Sequence, residues 1–131
     1  MRLKLRVLIA GLAASSLLGF VMVPGLIALT LRSSQDQVAA GAVVFSNVCA
    51  TCHGAQAEGG EGPALEQSNL SSYRSADRLF RFVRISMPND DPGSLSDSEY
   101  YAAVAFLLDL NGMNPDGVIL DPSTAADVSL E

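Results

Sequence analysis

Both cysteines and the single histidine of this 131-residue chain fall within five consecutive positions, Cys49-Ala50-Thr51-Cys52-His53. No other stretch restricts the fold as much. Two thiols at this spacing followed directly by an imidazole form the C-x-x-C-H signature, in which the thiols attach a c-type haem covalently. The adjacent imidazole can then serve as the proximal iron ligand. A closed structural zinc site needs four ligands, and there is no second pair to complete one. A thioredoxin-like redox pair is expected near a βαβ pattern, whereas the residues before Cys49 have helical spacing. A disulfide would leave His53 without a role. The motif therefore points to one covalent haem, attached through Cys49 and Cys52, with His53 on the iron.

The chain has room for one small domain. Beyond Ser33 about a hundred residues remain, a size at which a core is marginal unless something else fills it, and a haem would do so. All fourteen acidic residues lie at or beyond Asp36, against Arg74, Arg78, Arg81 and Arg84 as the only basic residues in that part, which gives a formal charge of −10. Phosphate contacts need a basic surface, so this balance argues against a nucleic-acid partner. With both cysteines used by the motif, cysteine usage says nothing about compartment.

Location is read from the N-terminus. Arg2, Lys4 and Arg6 precede residues 7–31, a run of twenty-five without a charge. As a helix this run would extend about 37 Å at 1.5 Å per residue, more than the hydrocarbon core of a bilayer, with Pro24-Gly25 as the place for a bend. A cleaved signal peptide has an apolar region of only about 7–15 residues. Val38-Ala39-Ala40 would suit a signal peptidase, but a cut there would remove the start of the helix leading into the motif. The expectation is a retained single-pass anchor over residues 1–33 and a haem domain with a C-terminal tail over residues 34–131. Three positive charges before the span against Arg32 after it place the N-terminus inside and the haem domain on the periplasmic side of the cytoplasmic membrane.

Residues 32–37 read as a short polar linker, with Asp36 as candidate N-cap. Gly41, Val44, Phe45 and Val48 then recur at the spacing of one buried helical face, and Gly41 marks a close approach by another element. The glycines of residues 54–63 read as loop. Residues 71–86 read as a helix with Ser75 as a cap and Asp77 in the first turn. Arg74, Arg78, Arg81 and Arg84 recur along one side of it. This is either a solvated face or a source of guanidinium partners for the haem propionates, with Arg84 the candidate. Met87-Pro88 ends that helix, and Pro92-Gly93 turns the following loop. Ser96-Asp97-Ser98-Glu99 has the capping-box form and opens a last helix that stops at Asn111-Gly112. Tyr100, Val104, Leu107 and Leu108 form its apolar stripe, with Ala103 and Phe106 alongside. The tail from Met113 onward is expected to wrap the domain without regular structure.

An electron-carrying haem needs a sixth ligand, and without a second histidine the candidates are Met22, Met87 and Met113. Met87 fits by its place at a helix end beside a proline, whereas Met113 follows the last helix and suits packing. In the order helix, Cys-x-x-Cys-His, Gly62-Pro63 loop, helix, Met87-Pro88 loop and capped terminal helix, residues 36–112 resemble a single-haem class I c-type cytochrome of the membrane-anchored bacterial type.

That resemblance implies an all-α fold around the haem, with Met87 as distal ligand and the Pro63 carbonyl bound to the second ring nitrogen of the proximal histidine. It also implies a crossing of the first and last helices at Gly41, Phe45 and Phe106. Ser86 departs from it, since many members have glycine before Met-Pro. With both axial positions filled, the implied function is outer-sphere transfer of one electron, without a small-molecule substrate. The protein would then serve as a carrier, or as a subunit of a respiratory, photosynthetic or dehydrogenase complex, rather than as an enzyme in itself. A peroxidase-like or gas-sensing role would require Met87 to be off the iron. Donor and acceptor are redox proteins, and the short linker favours a fixed subunit.

Overall fold

The computed structural model describes residues 33–114 and 116–131. They form helices α1 (Ser34–Val44), α2 (Ala50–His53), α3 (Gln67–Leu70), α4 (Ala76–Ser86) and α5 (Asp97–Leu110), with a π-helical turn at Phe45–Cys49 and a 3-10 turn at Ser71–Tyr73. There is no strand among the described residues, only an isolated antiparallel bridge between Ser75 and Ser129. No helix among the described residues is long and apolar enough to cross a membrane. The apolar run at residues 7–31 lies outside them.

α1 begins inside the segment expected to be linker, and its cap is Ser33 rather than Asp36. Ser33 Oγ accepts from the Asp36 N–H at 3.1 Å and the Asp36 carboxylate accepts from the Ser33 N–H at 3.0 Å. Asp36 thus occupies the third helical position of a reciprocal box. α1 packs chiefly on α5, and at Gly41 the two backbones touch. A Cβ built there would lie 1.9 Å from the Ala102 carbonyl oxygen and 2.9 Å from Phe106 Cβ, so only glycine lets the helices close to this distance. One turn later Phe45 and Phe106 meet with ring centroids 5.2 Å apart. Phe45, Tyr100, Val104 and Leu108 are almost fully buried at this crossing.

α4 covers the neighbouring side of α5, where Phe80 stacks on Tyr101 with centroids 3.8 Å apart and planes within 2°. The sequence spacing suggested one helix over residues 71–86. The structure breaks it at Arg74, whose φ of 68° lies in the left-handed region. Arg74 is therefore off the α4 face and pairs with Glu131 at 3.7 Å, while Arg81 pairs with Asp77 at 2.9 Å and Arg84 with Asp97.

The first N–H groups of a helix have no partner within it, and in α4 the tail supplies them. Ala76 N–H donates to the Val128 carbonyl and Asp77 N–H to the Ala125 carbonyl, both at 3.0 Å, while Ser75 Oγ accepts from Arg78 N–H. Leu130 N–H returns a bond to the Arg74 carbonyl at 3.0 Å. Leu120, Ala125 and Leu130 are buried, so the tail is held by both its backbone and its apolar side chains.

Candidate functional site

The five-residue motif sits where α1 gives way to α2. Between them the Ala50 N–H reaches back five residues to the Phe45 carbonyl, a π-type bond of the kind that often marks functional positions. Cys49 and Cys52 are free thiols, each half-buried, and burial pushes the Cys49 thiol above its ordinary pKa. His53 is buried, with 8 % of its surface exposed.

The loop after α2 folds back over the motif and satisfies its end. Gly59 N–H donates to the His53 carbonyl at 2.7 Å and Gly62 N–H to the Cys52 carbonyl at 2.9 Å. Two residues of this loop fix the imidazole. His53 Nδ1 lies 2.8 Å from the Pro63 carbonyl oxygen, and because a carbonyl only accepts, Nδ1 donates and Nε2 is the ring nitrogen left for another partner. A Cβ on Gly62 would come within 2.8 Å of the His53 ring, so the absent side chain is what allows the loop to lie against the imidazole. Two half-buried thiols and an imidazole oriented through Nδ1 with Nε2 unengaged make a donor set that fits one haem held by two thioethers and one nitrogen.

Met87 is the residue at which α4 stops. Its backbone is extended (φ −129°, ψ 148°) and its N–H donates to the Val83 carbonyl at 2.8 Å. Its side chain is half-buried. Met113 is buried within the core cluster, its N–H donating to the Leu108 carbonyl at 2.7 Å. Met22 lies outside the described residues. Arg84 is more than a third exposed, and its Nε is engaged by Asp97 at the start of α5.

Three contributors escaped the sequence reading. The side-chain amide of Gln37 makes two hydrogen bonds to the Leu120 backbone. Asn111, read only as part of a helix stop, donates through Nδ2 to the Leu65 carbonyl at 3.0 Å and ties the end of α5 to the chain beyond the motif loop. Tyr100, read only as part of an apolar stripe, donates from its hydroxyl to the Met87 carbonyl at 2.7 Å. A tyrosine on a buried stripe is the available signal for the last, since a buried phenol needs a polar partner.

Residues 36–107 match the family model described as cytochrome c oxidase, cbb3-type, subunit III. No curated protein matches the chain. Among solved structures, the sulfane dehydrogenase SoxCD from Paracoccus pantotrophus is similar at 30% identity and a TM-score of 0.59 over 76% of this chain, which spans 58% of that one. Cytochrome CL from Methylophaga aminisulfidivorans is similar in fold, at 22% identity and a TM-score of 0.50, over 71% of this chain and 68% of that one.

Proposed function

Because the chain belongs to the cbb3-type cytochrome c oxidase subunit III family, a family of c-type cytochromes, and holds haem c covalently at its Cys-x-x-Cys-His motif, we propose that its iron is ligated by His53 and Met87. In this reading the domain relays single electrons within a larger membrane oxidoreductase. The observation that carries it is the His53–Pro63 hydrogen bond, which leaves Nε2 as the nitrogen offered to iron. Met87 would supply the thioether, since it stands half-buried at the end of α4 beside a proline, whereas Met113 is packed into the core.

When bound, the haem supplies one-electron exchange between ferric and ferrous iron, and the residues decide that it does nothing else. His53 and Met87 would both hold the iron, which would leave no position on it for oxygen or a substrate. A thioether together with an imidazole on the iron would raise its potential, and Pro63 orients the imidazole by accepting from Nδ1.

The family name belongs to an oxidase subunit and the first structural neighbour is a dehydrogenase. What they share is a cytochrome domain that serves a larger oxidoreductase, and that is the role proposed here. A partner meets a domain whose formal charge is −10 either through a basic surface, in which case the electron-transfer rate falls as salt screens the attraction, or through apolar contact and membrane confinement, in which case the rate is flat with salt. Residues 7–31 anchor the domain on the outer face of the cytoplasmic membrane. The Val38-Ala39-Ala40 triplet lies inside α1, between the Gln37 contact and the Gly41 crossing, so a cut there would strip the domain of its first helical turns.

The ferric protein tests the ligation. A sulfur-to-iron charge-transfer band in the red should disappear in Met87→Ala and the haem should stay on the chain in a denaturing gel. A wild-type spectrum without that band would favour a five-coordinate, peroxidase-like or gas-binding iron instead. Purification in mild detergent, with intact mass and identification of what co-purifies, tests the anchor and the complex.

A further inference from the structure

Tyr100 is 1% exposed, and its hydroxyl is used twice. It donates to the Met87 carbonyl at 2.7 Å and accepts from the Gly93 N–H at 3.0 Å. One atom on α5 therefore holds both the start and the far turn of the loop that follows α4. The loop has little else to hold it. Residues 89–94 are all exposed, and its own backbone bonds are two turn contacts, Asp91 N–H to the Pro88 carbonyl at 3.1 Å and Ser94 N–H to the Asp91 carbonyl at 3.3 Å. The Arg84–Asp97 pair spans the same loop, but its side chains are 49% and 61% exposed, a setting in which ion pairs contribute little. Because Pro88 has no N–H, the peptide after Met87 offers a single polar handle, the carbonyl that Tyr100 binds.

We propose that Tyr100 is the positioning residue for the distal ligand: its hydroxyl fixes the Met87 backbone, and so determines how well the thioether competes with an external ligand for iron. This rests on Met87 being that ligand. A loop so sparsely packed belongs to the part of a protein that opens most easily, and an opening that moves Met87 would give its place to an external ligand. Removing the hydroxyl leaves the Met87 carbonyl without its buried donor, and the closed loop loses population to the open one.

The test is imidazole binding to the ferric holoprotein, followed by loss of the red sulfur-to-iron band. Tyr100→Phe, which keeps the ring in the core, should show the band without imidazole and bind imidazole at least tenfold more tightly than wild type. Asp97→Asn, which breaks the exposed ion pair, should change the affinity less than twofold. Val104→Ala, a core truncation with no hydroxyl involved, separates positioning from general loss of stability and should also stay within twofold. In the wild type, saturating imidazole should accelerate exchange of the Gly93 amide at least tenfold, a readout that needs no variant. Unchanged imidazole affinity in Tyr100→Phe, an equal gain in Val104→Ala, or a Gly93 amide indifferent to imidazole would overturn the proposal. A band that is missing from the wild type, or that survives Met87→Ala, removes the ligand assignment itself and the proposal with it.

Discussion

The side chain of Gln37 pairs with the backbone of Leu120 as a second backbone would, donating through Nε2 to the carbonyl at 2.7 Å and accepting at Oε1 from the N–H at 2.8 Å. Two groups 83 positions apart in sequence are joined by the one uncharged side chain type, shared with asparagine, that carries both a donor and an acceptor in a plane. Each bond of this kind contributes about 0.5–1.5 kcal/mol. Gln37→Ala should therefore lower unfolding free energy by about 2 kcal/mol, read from denaturant midpoints of the holoprotein. Gln37→Glu should also destabilise at neutral pH, since a carboxylate cannot donate to the Leu120 carbonyl.

Gly62 and Gly41 are both required by close approach, but their substitution should fail in different ways. Gly62→Ala drives a methyl into the His53 ring and should alter the haem spectrum and potential, because it displaces Nδ1 from the Pro63 carbonyl. Gly41→Ala drives one into the Ala102 carbonyl, and overpacking against backbone should cost about 3 kcal/mol or more while the spectrum of what still folds is unchanged. Optical spectra recorded alongside denaturation curves separate the two.

Met113→Ala should cost about 2–5 kcal/mol, as a truncated core methionine does, and leave the red sulfur-to-iron band at full intensity. Loss of that band in Met113→Ala would move the ligand from Met87 to Met113.

Acid should loosen the domain through three carboxylates: Glu58, which accepts from backbone N–H groups, and two that can be removed together. Hydrogen bonds from the Ser96 side chain and backbone hold Glu99 below its ordinary value near 4.5, and bonds led by the Ser123 side chain hold Asp121 below 3.8. A folded-state pKa below the unfolded one means stability that is complete above the unfolded value and lost as pH falls through the folded one. Thermal midpoints should therefore be flat with respect to these groups above about pH 5.5 and decline below about 4.5. The double variant Glu99→Gln with Asp121→Asn should start lower and decline less.

What could be read from the sequence was what depends on residue type within a few positions. The Ser96–Glu99 box, the Ser75 cap, the glycine at the helix crossing and the end of α4 at Met87 each follow from a local rule, and the structure contains each of them. The Ser33–Asp36 box has the same spacing, but the polar residues around it also fit a linker, in which Asp36 looks like the cap. The break at Arg74 was hidden because a non-glycine residue adopts positive φ there. The π-type turn before the motif has no residue signature, and the bonds from the tail to α4 come from backbone carbonyls, which look the same in every residue. Tyr100 and Gln37 were visible as letters, but their partners are set by tertiary placement.

The capping of α4 by Val128 and Ala125 also ties the helix that leads to Met87 to residues some fifty positions further along the chain. Without those carbonyls the Ala76 and Asp77 N–H groups would turn to water. A proteolytic nick within residues 121–130 should therefore be felt first as fraying at the start of α4, a whole helix away from Met87.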